Sequence, residues 1–218
     1  MEVLLKDWTA PAIPAQIPHG DMPGDKICID EGHIAKAQTL FPALKNMLAD
    51  QLQMSPHRKA VVAVCGGSGV GKSEIASVLA YYLNQLGVGA YILSGDNYPR
   101  RIPRDNDLER VRVYRVGGLR GLLNSGLYTD SMGQTLRTLW TEDLDSDPSQ
   151  VKEYAWLGIY QQAGRMALTA YLGTPNETDF DEVNDLIARF KRGENQIALK
   201  RMGRETTELW YDLSLIHI

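Results

Sequence analysis

Gly66-Gly67-Ser68-Gly69-Val70-Gly71-Lys72-Ser73 reads as Gly-x4-Gly-Lys-Ser, the P-loop pattern. The chemistry this pattern serves is anion binding. Glycines let successive backbone N–H groups turn inward around a phosphate, in a conformation and at an approach that side chains would forbid. A helix starting near Lys72 adds the positive end of its dipole. In such a loop Lys72 reaches the β- and γ-phosphates, and the Ser73 hydroxyl ligates Mg²⁺. The sequence therefore predicts a nucleotide-binding segment of Gly66, Gly67, Ser68, Gly69, Val70, Gly71, Lys72, Ser73 and Glu74, with ATP and Mg²⁺ as cofactors. Cys65, just before it, is expected to be a buried core thiol, against the alternative of a redox role that no neighbouring residue supports.

Asp96 is the next candidate. It follows a second apolar run, and in a doubly wound sheet the carboxyl ends of the strands form the edge where ligands sit. A carboxylate there can orient and deprotonate an attacking hydroxyl or hold the metal's shell; the alternative is a helix N-cap or turn aspartate. Tyr98-Pro99-Arg100-Arg101-Ile102-Pro103-Arg104 comes next, with Arg112 and Arg115 further on. Arginines held by prolines suit a bidentate clamp on phosphate or sulfate, against the alternative of a solvated basic face. Lys200, Arg201 and Arg204 form a second basic cluster with the same two readings. Asp96, Tyr98, Arg100, Arg101, Arg104, Arg201 and Arg204 are thus the candidate acceptor-binding residues, and Lys72 and Asp96 the candidate catalytic pair.

These residues need elements to place them. Ala60 to Cys65 is wholly apolar and rich in β-branched residues, as a strand buried on both faces would be. After the loop, Ile75, Ala76, Leu79, Tyr82, Leu83 and Leu86 recur at helical spacing, with Gly87 as a stop. Ala90 to Leu93 is a second apolar run, which completes a βαβ unit within about 35 residues. Upstream, four prolines between residues 9 and 24 predict an extended arm, and Ile34 to Leu52 a helix in two pieces, the second opened by Pro42. Asp107 to Leu172 shows only helical periodicity. It is interrupted by Gly117-Gly118, by Gly133 and by the acidic turn 143–148, and its longest helix is expected over Val151 to Leu172. Asp179 and Glu182 open a further helix, with Phe180, Val183, Leu186, Ile187 and Phe190 as its apolar stripe; a strand is expected over Gln196 to Lys200.

Composition narrows the function. The chain has 218 residues, 23 Lys plus Arg against 27 Asp plus Glu, and a formal charge of -4, which argues against nucleic-acid binding. Its two cysteines and four histidines form no zinc signature. With no leader pattern and no bilayer-length apolar run, a cytoplasmic protein without a membrane contact is expected. A homo-oligomer is left open. GTPase switches need Asn-Lys-x-Asp, which is absent. A motor ATPase needs an apolar strand ending in carboxylates. Ile27-Cys28-Ile29-Asp30-Glu31 is the one candidate, with an ordinary edge strand and turn as the alternative.

The P-loop, its helix, and a strand ending in Gly95-Asp96-Asn97-Tyr98 together resemble the small-molecule kinases related to uridine kinase and phosphoribulokinase. That resemblance implies Asp96 as the base that activates the acceptor hydroxyl. Asn176 to Asp181, a helix, and Lys191-Arg192-Gly193 are similar to the same family's segment before its substrate loop. Its substrate-reading residues are replaced here by Lys200-Arg201-Met202-Gly203-Arg204, so the acceptor does not carry over. A second resemblance links Tyr91 to Asn97, followed by arginines, to the Asp-Gly-Asp-Asn-x-Arg stretch of adenylylsulfate kinases, whose arginines hold the sulfate-bearing nucleotide. That family's later Ile-Ser-Pro segment is missing here, and the helical region 107–172 is foreign to it. Leu213 to Ile218 resembles the translated end of a sequencing transposon, with a short terminal strand as the alternative; the natural chain is then expected to continue past Asp212.

The expectation is an α/β three-layer P-loop NTPase fold with a mostly parallel sheet, incomplete at its C-terminus, and a helical insertion. Residues 1–55 would form an arm and helical segment, 56–212 the kinase domain, and 213–218 a non-native tail. The expected activity is transfer of the γ-phosphate of Mg-ATP to a hydroxyl of a small metabolite, of nucleoside or sugar-phosphate type. The alternatives are an adenylylsulfate kinase-like activity, or a nucleotide-binding module without transfer.

Overall fold

The computed structural model describes Leu4 and residues 7–19, 27–67, 69–202 and 209–215. The chain divides into two compact units, one of residues 1–99 with 179–218 and the other of residues 100–178.

In the first unit, helix α1 spans Glu31–Met54 and helix α2 spans Lys72–Gln85. Asp30 caps α1 by accepting the His33 N–H. Pro42 lies inside α1 and does not divide it. The lost main-chain bond is offset by burial of Ala37, Phe41, Leu48 and Ala49 on one face. Against them α2 buries Val78, Leu79, Tyr82 and Leu83. Trp8 completes an aromatic trio, with ring centroids 4.5 Å from Phe41 and 5.0 Å from Tyr82, and Phe41 meets Tyr82 edge-on at 5.2 Å. The helical segment that the sequence reading set apart with the arm therefore shares one core with the helix of the glycine loop.

Helix α3 spans Pro103–Asn124, α4 Asp130–Thr141 and α5 Leu157–Tyr171 in the second unit. Back in the first, α6 spans Phe180–Lys191, capped by Asp179 accepting the Glu182 N–H, as its spacing predicts. Strand β1, Gln196–Met202, pairs antiparallel with β2, Leu209–Leu215, in a register that sets Gln196 opposite Leu215 and Met202 opposite Leu209. Ile197 and Leu199 point inward at period two and form a cluster with Leu186 and Tyr98, while Phe180, at the head of the predicted stripe, stays exposed.

The runs 60–65 and 90–93 belong to no ladder, and the one sheet among the described residues is β1–β2. Val61 and Val62 are 49% and 43% exposed, and Cys65 is exposed rather than buried. Apolar, β-branched composition fits a segment for burial but supplies no partner, and a parallel strand is covered only when neighbours flank both edges. The parallel sheet thus stays an expectation of the sequence. Residues 27–30 are not a strand either: Asp30 is a cap, and Glu31 begins α1.

The second unit runs through the glycines expected to interrupt it. Gly117 and Gly118 sit inside α3, and Gly133 inside α4. The reason is close packing. A Cβ on Gly117 would fall 2.3 Å from the Ala167 Cβ, one on Gly121 2.3 Å from the Ala163 Cβ, and one on Gly118 2.5 Å from the Tyr160 ring. α3 and α5 meet along this seam of small residues. The start expected at Val151 moves to Leu157, because Pro148–Lys152 forms a 3₁₀ turn.

A polar network ties that turn down. The Arg115 guanidinium donates to the buried Asp145 carboxylate at 3.0 Å, to Asp143 at 2.9 Å and to the Trp140 carbonyl at 3.1 Å. The Tyr160 hydroxyl donates to Asp145 at 2.7 Å and accepts from the Trp140 indole at 2.9 Å. Burial, reinforced by that carboxylate, pushes the Tyr160 phenol well above its ordinary range.

An alanine at Gly117 or Gly121 should lower stability by about 1–3 kcal/mol, because overpacking of the seam outweighs the ~1 kcal/mol helix-propensity gain. At Gly158, where the new Cβ meets only Val151 at 3.6 Å, alanine should cost nothing. Urea midpoints of the three variants check the contrast. Asp145→Ala should cost about 3 kcal/mol by removing the buried acceptor that the Arg115 guanidinium and the Tyr160 hydroxyl share, read from the same titration.

Candidate nucleotide-binding site

The loop has the backbone its glycines predict. Gly69 has φ +73° and Gly71 φ +85°, a left-handed region where L side chains are strained. Gly71 is the residue from which α2 starts, so the first-turn N–H groups of this helix face the loop rather than a preceding helical turn. The Lys72 ammonium donates to the Gly67 carbonyl at 2.6 Å, which brings the cation back onto the loop. Space is open where side chains would sit at Gly69, and Val70 is exposed. Left-handed glycines, a helix start, a folded-back lysine and an adjacent serine hydroxyl form a donor set that suits a polyphosphate with its divalent cation. Ser68 lies outside the described residues. No cluster of three His, Cys, Asp or Glu able to hold a metal occurs among the described residues.

Asp96 lies in a 3₁₀ turn, Gly95–Asn97, which packs against β1. Ser94 performs the cap, accepting the Asp96 N–H at 3.4 Å, while Asp96 itself is exposed to solvent. Of the two structural alternatives, Asp96 is thus a turn residue and not the N-cap.

Tyr98 departs from its predicted role as an acceptor contact. It is fully buried in the cluster of Leu186, Ile197 and Leu199, with the Lys200 ammonium 5.6 Å from its ring centroid. Desolvation pushes its phenol up to about 12. Lys200 is likewise buried and paired with Glu182, and the Arg201 guanidinium donates to the Tyr91 hydroxyl at 2.8 Å. Arg204 lies outside the described residues.

The other arginines belong to the second unit and make contacts within it. Arg101 donates to the Tyr171 hydroxyl and the Asn176 carbonyl, each at 3.1 Å, and Arg100 to the Pro175 carbonyl. Arg104 pairs with Asp105 at 3.1 Å. Arg112 grips Glu109 through two bonds, at 2.6 and 2.7 Å, and holds that carboxyl below its ordinary range. Arg110 and the Gly173 N–H meet on the buried Glu177. The predicted clamp is thus a set of internal ties, and Arg100, Arg101 and Arg112 line one small cleft with Glu109 and Tyr171.

One residue at the loop was not singled out from the sequence. A Cβ on Gly71 would fall 2.4 Å from His33 Nε2, so the imidazole of α1 lies on the glycine. The only local signal was the Asp30-x-x-His33 spacing of a helix cap. A contact across the fold leaves no mark in a local pattern.

No protein-family profile matches the chain, and no solved structure matches it significantly. Curated relatives do. The chain is 33% identical over 151 residues, 69% of its length, to the bifunctional alpha-galactosidase/sucrose kinase AgaSK of Mediterraneibacter gnavus, and spans 11% of that protein. It is 41% identical over 76 residues to the adenylyl-sulfate kinase of Erwinia tasmaniensis and 35% identical over 78 to that of Pseudomonas entomophila. These cover 33% and 34% of the chain and 38% of each relative, so the chain spans well under half of the proteins it matches. Among the described residues, no helix is long and apolar enough to cross a membrane. The relatives that the chain resembles are kinases by name.

Proposed function

We propose that the chain is the nucleotide-binding part of a P-loop phosphotransferase that moves the γ-phosphate of Mg-ATP to a hydroxyl of a small metabolite. The observation that carries this reading is the loop backbone: left-handed glycines at 69 and 71 leading directly into α2, with Lys72 folded back onto the Gly67 carbonyl. Similarity to proteins named as kinases supports it. The loop amides and the α2 N-terminus hold the phosphate chain. Lys72 exchanges its carbonyl contact for the β- and γ-phosphate oxygens and stabilises charge there as it develops. Magnesium, when bound at Ser73, neutralises phosphate charge. Asp96, exposed on its turn with the cap role taken by Ser94, accepts the proton of the attacking hydroxyl.

For the acceptor, the long match to a protein named for sucrose kinase activity favours a sugar-type hydroxyl, in keeping with the uridine kinase and phosphoribulokinase resemblance. The shorter, more identical match to a protein named adenylyl-sulfate kinase favours adenylyl sulfate as the second reading. Initial rates of ATP consumption with sucrose, uridine, ribulose 5-phosphate and adenylyl sulfate separate the two. ATP uptake without acceptor-dependent turnover would instead mark a binding module.

Lys72→Ala should cut acceptor-dependent turnover by at least about a hundredfold, and unchanged turnover would rule this mechanism out. Asp96→Asn should keep ATP binding, measured by calorimetry, while turnover falls by about a hundredfold or more. Retained transfer would leave Asp96 as a turn residue only.

A further inference from the structure

His33 packs onto the last glycine of the loop from a helix cap that capping alone does not explain. On one edge of the ring, Nδ1 is fixed by Asp30: it accepts the Asp30 N–H at 3.3 Å and stands 2.8 Å from Oδ1 of the same residue. That carboxylate also accepts the His33 N–H at 2.9 Å, a bond that holds the Asp30 carboxyl below its usual range. The opposite edge faces the loop, with Nε2 and Cδ2 lying 2.4 and 2.6 Å from where a Gly71 Cβ would be. The His33 side chain is 18% exposed, and so belongs neither to the core nor to open solvent. A capping box needs only Nδ1. It gives no reason for Nε2 to rest on the glycine that begins α2.

We infer that His33 is a phosphate-contacting residue, a role that rests on reading the loop as a nucleotide site. With a polyphosphate in place, Nε2–H donates to a phosphate oxygen beside Gly71, opposite the end where Lys72 meets Gly67, and Asp30 is the positioning residue that sets the ring. The protons allow it. Two states of the ring carry the donor: a neutral ring whose Nδ1 accepts the Asp30 N–H has its proton on Nε2, and a protonated ring keeps that proton while giving Nδ1–H to the Asp30 carboxylate. The imidazole also stands between Asp30 and the incoming phosphate, which separates two negative charges with a donor for each.

Calorimetric titration of the full chain with Mg-ATP, alongside thermal melts, tests this. His33→Phe fills the ring's place on Gly71 without a donor and should weaken ATP about tenfold, with only the small drop in melting temperature expected from losing the exposed Asp30 N–H to Nδ1 cap bond. His33→Gln, which returns an N–H at similar reach, should recover the affinity to within about threefold of the original chain. Wild-type affinity in His33→Phe, or no recovery in His33→Gln, overturns the inference while leaving the proposed function standing. If the unaltered chain takes up no ATP, the proposed function fails and this role with it. Should His33→Phe not fold, Asp30→Asn, which keeps a cap acceptor, carries the test. Its ATP affinity should fall about threefold, and an unchanged value overturns the inference.

Discussion

Backbone direction at Gly69 and Gly71 is the constraint on which the site depends. An α-helix leaves its first N–H groups without partners, and a left-handed residue at its start lets the preceding chain fold back over them. Gly71, at φ +85°, does both things at once: it begins α2, and it leaves room for the His33 ring where a side chain would otherwise stand. Positive potential then collects in one place, from the helix end, the loop amides and the Lys72 ammonium. Catalytic groups can be added to such a point without altering it. The aromatic trio of Trp8, Phe41 and Tyr82 has a remote but necessary part, because it joins α1 to α2 and so brings His33 to the loop.

The second unit handles charge differently. Arg100, Arg101, Arg104, Arg110, Arg112 and Arg115 make contacts to carbonyls, carboxylates and a hydroxyl of their own unit, and its most buried ion pair, Arg115 with Asp145, is joined by Tyr160, Trp140 and Asp143. Removing two charges from water is costly unless the remaining donors and acceptors are matched, and here both Asp145 carboxylate oxygens and the Tyr160 hydroxyl are. The glycine seam between α3 and α5 lets the Tyr160 ring approach Gly118 closely, so packing and polar network constrain the same helix pair.

Much of this was legible in residue patterns, and the limits have physical causes. The loop, α2, the Asp179 cap, α6 and β1 were readable because each rests on interactions a few residues apart: a capping spacing, a glycine stop, an apolar period. Gly117 and its neighbour Gly118 misled for the complementary reason. A glycine that breaks an isolated helix is required when another backbone crosses it, and sequence alone does not reveal the crossing. Pro42 was outweighed by the burial of Phe41 and its neighbours. Tyr98 and the arginines showed the right functional groups for an acceptor site, but a hydroxyl or guanidinium reads the same whether it faces a ligand or a neighbouring carbonyl. His33 lay beyond reach, since its role depends on two helices meeting.

Val61, Val62 and Val64 remain to be considered as a physical liability. They form an extended, β-branched stretch without opposite charges or a proline to interrupt it, and they face solvent outside any ladder. Such a stretch offers a template onto which a like segment from another molecule can add. Handling at high concentration therefore favours clumping through this stretch, and a lysine placed at one of the three valines would act as a gatekeeper without touching the anion nest that follows.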